Sequence, residues 1–193
     1  MTHIGLPPAL LLSATVLMAQ APYLGPNELA KESKEIVVGI VLDRNLWVIQ
    51  PEKVVPPWSE PQPDGTRLLH LQSPSEYVIG QLRLVKLDEI IRGSTKAKAG
   101  DVMTVFTPGF ASSDVAALAK GKRYALFLSP LQSDDKRFTA SVIQNPGDTL
   151  AKKKKFDPST AYSVVGGYFG ALRLDTEDVE LLDRIRKAAA TTR

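Results

Sequence analysis

The residues that could do chemistry in this sequence are few. It contains no cysteine, which excludes disulfides, thiolate nucleophiles, cysteine zinc sites and a lipoprotein anchor. Its two histidines are His3 and His70, and both metal sites and general-base catalysis at neutral pH depend heavily on histidine. An enzyme with this sequence would therefore have to work with carboxylates, lysine or tyrosine.

Neighbouring carboxylates do not form an acid/base pair. The adjacent pairs are Asp88-Glu89, Asp134-Asp135 and Glu177-Asp178. Neighbours on a strand point to opposite faces, and the other two pairs lie in a predicted turn and at a predicted helix start. His70 alternates with Leu69 and Leu71, which predicts a solvated side chain on the polar face of a short strand. We therefore predict no catalytic, cofactor-binding or metal-ligating residue, and a protein that is not an enzyme.

A basic run is one candidate binding feature. Its members are Lys152, Lys153, Lys154 and Lys155. Such a run could bind phosphates, lipid head groups or nucleic acid, or it could be a solvated loop. The formal net charge of +3, from 24 basic and 21 acidic residues, does not require a polyanionic partner. The aromatic residues of the predicted strands are explained by core packing, so nucleic acid is not the favoured partner.

Two tryptophans flank a proline-rich segment that is the second candidate. Residues 51–75 contain six prolines, which cannot donate ladder hydrogen bonds, so the segment is predicted to be an extended surface excursion with a short strand at 66–72. Trp47 and Trp58 lie on either side of its start. If the excursion folds over a barrel mouth, these side chains could line a groove for a peptide or a glycan; the alternative is that they cover the core and the loop.

The N-terminus has the composition of a secretory signal. Residues 6–21 are apolar and end in Ala19-Gln20-Ala21, a small-x-small triplet. The first residues lack Lys and Arg, and Pro22 follows the triplet, so the cleavage site and the start remain open. We predict a signal peptide at 1–21, a secreted or periplasmic protein, and no stable membrane span after its removal.

Alternating apolar residues predict a mainly β fold. The predicted strands cover residues 36–50, 77–93, 102–109, 122–130 and 137–145. Gly39 and Gly80 interrupt the first two strands, where a barrel strand has to bend. A capped short helix at 112–121, stopped by Gly121, separates the third strand from the fourth. This order predicts a five-stranded OB-fold-like Greek-key barrel over 28–145.

The remaining residues, 146–193, are predicted to form a C-terminal extension ending in a helix at 176–190. Asp175 or Thr176 caps this helix, acidic residues fill its first turn, and basic residues fill its last turns. Its predicted buried stripe consists of Val179, Leu182, Ile185 and Ala189. We expect the helix to pack on the barrel rather than to found a second domain.

Four segments of the sequence carry a family resemblance. They are "ELAKESKEIVVGIV", "YVIGQLRLVKLDEIIRG", "AGDVMTVFTPG" and "GKRYALFL". Together they resemble bacterial secreted proteins related to the netrin module and the tissue inhibitors of metalloproteinases, over roughly residues 28–145. The resemblance implies the OB-fold. The inhibitors of that family chelate a catalytic zinc through an N-terminal cysteine, which this sequence lacks, so no functional residue is carried over.

These observations favour an exported, non-enzymatic module that binds a protein or peptide partner, as an inhibitor or an envelope component. The alternative is an envelope protein that binds anionic ligands or nucleic acid through the lysine run. No cofactor is expected in either case.

Overall fold

The structure is a computed structural model that describes residues 24–93, 96–109, 118–131, 140–145, 153–175 and 178–192, without the side chains of residues 43–45 and 168. The strands of this part of the chain are β1 (Glu35–Ile49), β2 (Trp58–Pro61), β3 (Arg67–His70), β4 (Val78–Arg92), β5 (Val102–Pro108), β6 (Arg123–Pro130), β7 (Ser141–Ile143), β8 (Lys154–Lys155), β9 (Tyr162–Val164) and β10 (Ala171–Leu174). The α-helices are α1 (Pro26–Glu32) and α2 (Val179–Thr191).

Five of the strands close into a barrel. Around the ring, β1 pairs with β4, β4 with β5, β5 with β9, β9 with β6, and β6 again with β1. The β5–β9 pair is parallel and the other four are antiparallel. This is the ring order of an OB-fold, so the predicted mainly β barrel is confirmed.

The strand that completes the ring is not the one expected from the sequence. Of the predicted fifth strand at 137–145, residues 140–145 are described, and three of them form β7, which pairs with the far end of β1 and lies outside the ring. The ring is completed by β9, a strand of three residues in the glycine-broken segment past Asn145. Alternation can identify a strand, but it cannot say which neighbour the strand pairs with, and a three-residue strand is too short to show it. The barrel therefore extends beyond residue 145.

Glycines let β1 and β4 approach their neighbours. The pairing of β1 with β4 shifts register between Val38 and Gly39, as predicted for a bulge. A Cβ atom on Gly39 would lie 2.5 Å from the carbonyl oxygen of Lys86. One on Gly80 would lie 2.5 Å from the ring of Phe106. Both positions exclude any side chain, because real Cβ atoms do not approach so closely.

The strand β6 shows how the core is divided. Tyr124, Leu126 and Leu128 face the barrel interior, and Ala125 and Phe127 face outward, yet all five side chains are buried. The outward pair packs beneath the helices, together with residues of α1 and α2. This two-sided burial confirms the prediction that β6 is a central strand.

The C-terminal helix packs on the outside of the barrel, as predicted. Ile185 and Ala189 are buried in the cluster that contains Phe127, and Leu182 is half-buried beside it. Val179 was predicted to be buried but is 63% exposed, because the helix begins at this residue and its first turn extends past the cluster. The N-cap of the described helix is Asp178, not the predicted Asp175.

Several predictions fall on residues outside the described part. They include the signal peptide at 1–21, most of the helix at 112–121, Lys152 and the cap candidate Thr176. Residues 118–121 of that helix are described and are not helical: Lys120 and Gly121 lie in a turn, and Gly121 has φ +70°. Among the described helices, none has the length and apolar character needed to cross a membrane.

Candidate functional site

Exposed apolar side chains are concentrated in one segment. Of the eight large hydrophobic residues that are exposed in the described part, five lie between residues 55 and 71. These five are Val55, Trp58, Leu68, Leu69 and Leu71. Isolated exposed leucines are ordinary on a protein surface, whereas a group of this kind within 17 residues makes the segment a candidate interaction surface.

The segment is a β-hairpin that projects from the barrel. Its strands β2 and β3 form a separate two-stranded sheet in which Trp58 faces His70 and Glu60 faces Leu68. Six of the eight residues in the two strands are exposed, so neither face of the ribbon is covered. We call β2, β3 and their turn the hairpin.

The tip of the hairpin is fixed by the sequence Gln62-Pro63-Asp64-Gly65-Thr66. The amide of Gly65, at φ +85°, donates to the carbonyl oxygen of Gln62 at 3.0 Å. The Asp64 carboxylate accepts from the hydroxyl of Thr66 at 2.6 Å and from its amide at 2.9 Å. These hydrogen bonds hold the pKa of Asp64 below its ordinary value, and the bond from the hydroxyl has the larger effect. Proline before Asp-Gly is typical turn chemistry, and this signal could have predicted the hairpin.

A stacked pair joins the two strands. The rings of Trp58 and His70 lie 3.8 Å apart at their centroids and 8° from parallel. The Nε2 atom of His70 is 3.3 Å from Oε2 of Glu60. The side chain of His70 is 34% exposed, and it also covers one face of Trp58, because residues directly opposite on antiparallel strands are close enough to stack.

The base of the hairpin is held by Gln72. Its Oε1 accepts from the amide of Val55 at 2.7 Å, and its Nε2 donates to the carbonyl oxygen of Lys53 at 2.8 Å. Nε2 also lies 3.3 Å from Oε2 of Glu76, whose other oxygen accepts from the amide of Ser73. A single amide therefore links the chain entering the hairpin to the chain leaving it. Sequence analysis did not single out Gln72, because a surface glutamine carries no pattern of its own.

We predict that Gln72→Ala loosens this base without affecting the barrel. The substitution removes the only acceptor that the structure shows for the Val55 amide among the described residues, so hydrogen exchange at that amide is expected to become at least about tenfold faster. Gln62→Ala serves as the control, because Gln62 acts in the turn through its backbone. Exchange at Val55 that stays unchanged in Gln72→Ala contradicts the role given to Gln72.

A groove of about 250 Å³ lies at the base of the hairpin. It is lined by Val55, Pro56, Trp58, His70, Leu71, Gln72 and Glu76. Its walls combine an aromatic pair and aliphatic groups with an amide and a carboxylate. The volume lies below the roughly 300 to 1,000 Å³ of pockets that take whole small molecules.

The structure separates the two tryptophans of the sequence-based prediction. Trp58 lines the groove and is 52% exposed. Trp47 is half-buried and packs, together with Val54, against a cluster that contains Tyr77 and Ile143. Trp47 therefore covers the core, which is the alternative given above, and it does not line the groove.

The described lysines of the basic run occupy a sheet edge. Lys153, Lys154 and Lys155 are exposed, and the last two form β8, which pairs with Val142 and Ser141 of β7. The prediction of a loop is corrected for these two residues. Adjacent strand residues point to opposite faces, so Lys154 and Lys155 do not form one patch, and lysine on an edge strand opposes further strand pairing.

The described residues include no group of three or more His, Asp or Glu that could hold a metal ion. The class of protein that the fold defines is a closed, mainly β barrel in OB-fold order with a C-terminal helix on its outer surface. No protein-family model, no curated protein and no solved structure matches this chain.

Proposed function

We propose that this protein is an exported, non-enzymatic OB-fold module that binds a protein or peptide partner through the hairpin and its groove. The observation that carries the proposal is the concentration of exposed apolar side chains on a ribbon with both faces in solvent. Because these side chains remain exposed to water, they contribute little to the stability of the fold. Their burial against a partner would supply free energy of association.

Trp58 is the residue on which we expect binding to depend most. It is a large aromatic side chain at the groove, it is about half exposed, and His70 holds one of its faces. A ring held in one orientation loses little conformational freedom on binding, and tryptophan is enriched among the residues that dominate interfaces. The turn and Gln72 hold the ribbon that carries it.

Export and family membership belong to the same proposal. The apolar N-terminus favours a secreted or periplasmic protein, with an inhibitor-like or envelope role. The four segments that resemble the netrin module and the tissue inhibitors of metalloproteinases correspond to α1 with β1, β4, β5 and β6, and the hairpin lies between the first two of them. A module of that family would thus carry its binding surface on an insertion between its first two long strands.

The proposal is tested by capture followed by direct binding. Tagged protein is recovered from the envelope and the medium of its native cells, and mass spectrometry identifies its mature N-terminus and what co-purifies. A partner is then purified, and its affinity is measured for the parent protein, for Trp58→Ala and for Val102→Ala. We expect Trp58→Ala to weaken binding at least about tenfold. Val102→Ala, which alters an exposed apolar residue on β5, should leave the affinity unchanged.

A salt series separates this proposal from anion binding. A complex made through the hairpin should tolerate ionic strength, whereas one made through Lys153, Lys154 and Lys155 should weaken steeply as salt is added. Substituting these lysines with glutamine supplies the matched variant. Binding that is lost in the lysine variant and kept in Trp58→Ala overturns the proposal in favour of an anion binder, and uncut protein in the cytosol overturns export.

A further inference from the structure

Along each strand of the hairpin, the backbone amides and carbonyls point alternately toward the paired strand and away from it. The amide of Gln62 donates to the carbonyl oxygen of Thr66 at 2.8 Å, which makes these two residues a hydrogen-bonded pair. In an antiparallel ladder, hydrogen-bonded pairs alternate with pairs whose amides and carbonyls point away from each other. Counting along the register, Glu60 with Leu68 and Trp58 with His70 bond each other. The amides and carbonyls at positions 59, 61, 67 and 69 therefore point to the outer edges.

The two outer edges differ in their capacity to accept another strand. On the β2 edge, Pro61 has no amide hydrogen, and the preceding residue with the same orientation is Pro57, so Ser59 is the one donor between them. On the β3 edge, Arg67 and Leu69 each offer an amide and a carbonyl. Within the described part of the chain, no strand pairs with this edge and no hydrogen bond reaches these groups. One edge is closed by proline and the other is open.

We propose that two copies of this chain pair through their β3 edges. The strands run antiparallel about a two-fold axis at Leu69, and the product is a four-stranded sheet in the order β2–β3–β3–β2. In this register Leu69 bonds to the partner's Leu69, and the outward groups of Arg67 meet those of the partner's Leu71. An edge that offers the same groups on both sides of a central residue is complementary to itself, which is the requirement for a two-fold interface.

The side chains favour a second copy as the occupant. Leu69 would face its own copy, Leu68 would face the partner's His70, and Arg67 would face the partner's Leu71. No two like charges meet directly across the axis, and like charges in that position would oppose pairing. The side chains covered are leucines that are 50% (Leu68), 58% (Leu69) and 70% (Leu71) exposed in the single chain.

The prolines also determine where the assembly ends. In the four-stranded sheet both outer edges are β2, with Pro57 and Pro61 in the positions that would have to donate. Each outer edge then offers only the amide of Ser59 between two prolines, which disfavours addition of a further strand, so we expect pairing to stop at two chains. His70 and Leu71 belong both to the groove and to the proposed register, but Leu69 does not line the groove, so Leu69→Pro tests the dimer separately from the Trp58→Ala test of partner binding.

Sedimentation velocity of the purified protein over a concentration series tests the dimer. A short strand pair buries less than the roughly 1,200 Å² of a stable interface, so we expect a weak dimer whose fraction rises with concentration. Leu69→Pro removes one outward amide and no bond within the hairpin, and it should leave the protein monomeric throughout the series. Ser59→Pro removes the outward amide of the opposite edge, together with the hydroxyl that accepts from Nε of Arg67, and should leave the dimer as in the parent protein.

A disulfide provides a second readout. Because the sequence has no cysteine, Leu69→Cys introduces a single thiol. Hydrogen-bonded residues opposite each other lie about 5.5 Å apart at Cα, within the range that a disulfide spans. Mild oxidation should cross-link Leu69→Cys much faster than Ser59→Cys. A parent protein that stays monomeric at every concentration, a dimer that persists in Leu69→Pro, or equal cross-linking of the two cysteine variants would each overturn the proposal.

Discussion

Replacing Phe127 by alanine is expected to lower the free energy of unfolding by about 3 to 5 kcal/mol. The ring is 0% exposed and lies on the outward face of β6, in the cluster that joins the barrel to both helices. Its removal forfeits the transfer free energy of a large apolar group and leaves a cavity, which rigid strands on one side and α2 on the other cannot fill. Denaturant titration followed by circular dichroism measures the change.

The control for Phe127 is Val102→Ala, which truncates an exposed side chain on β5 and should cost less than about 1 kcal/mol. A double-mutant cycle with Ile185→Ala makes the test specific for α2. Ile185 belongs to the same cluster, so we expect the two losses to be non-additive by at least about 0.5 kcal/mol. Strictly additive losses would show that α2 does not pack where the structure has it.

Gly39→Ala is expected to destabilise the barrel by about 3 kcal/mol. The added Cβ would lie 2.5 Å from the carbonyl oxygen of Lys86 and 2.7 Å from a methyl group of Val85. The first of these is a backbone atom in the β1–β4 ladder, so the strands themselves would have to separate. Since β1 pairs with β6 through the same residues, any shift also strains the closure of the ring.

The matched control for Gly39 is Ile40→Ala, at the next residue of the same strand. Its side chain is 37% exposed, so truncation should cost less than about 1.5 kcal/mol. Equal unfolding midpoints for Gly39→Ala and the parent protein, again by denaturant titration, would mean that β1 and β4 do not approach as closely at this point as the ring requires.

Predictions from sequence succeeded where the signal is local. The first four barrel strands and the C-terminal helix were placed within a few residues, because each is long enough for its apolar period to stand out. Gly39 was assigned to a bulge for a local reason as well, because a glycine within a β-branched strand weakens the strand and often marks a bulge. The proline content of residues 51–75 predicted a surface excursion, and the segment does lie outside the main sheet.

Predictions failed where the outcome depended on pairing between distant segments. The closing strand β9 has three residues, and its position is fixed by β5 and β6 on either side, not by its own sequence. The stacking of His70 on Trp58 was not predicted, because the cross-strand register that brings the two rings together does not show in the alternation of a single strand. Val179 continues the apolar stripe of α2, but it lies past the part of the barrel surface on which that stripe packs.

By itself, the sequence determined that this chain forms bent, two-sided strands followed by an amphipathic helix, and that it has no cysteine with which to bind metal or form a disulfide. Only the tertiary structure decided which strand closes the barrel, which tryptophan lines the groove and which edge of the hairpin is open. The physical reason is that propensity and periodicity act over a few neighbouring residues, whereas strand order and register are set by burial and hydrogen bonding between residues far apart in the chain.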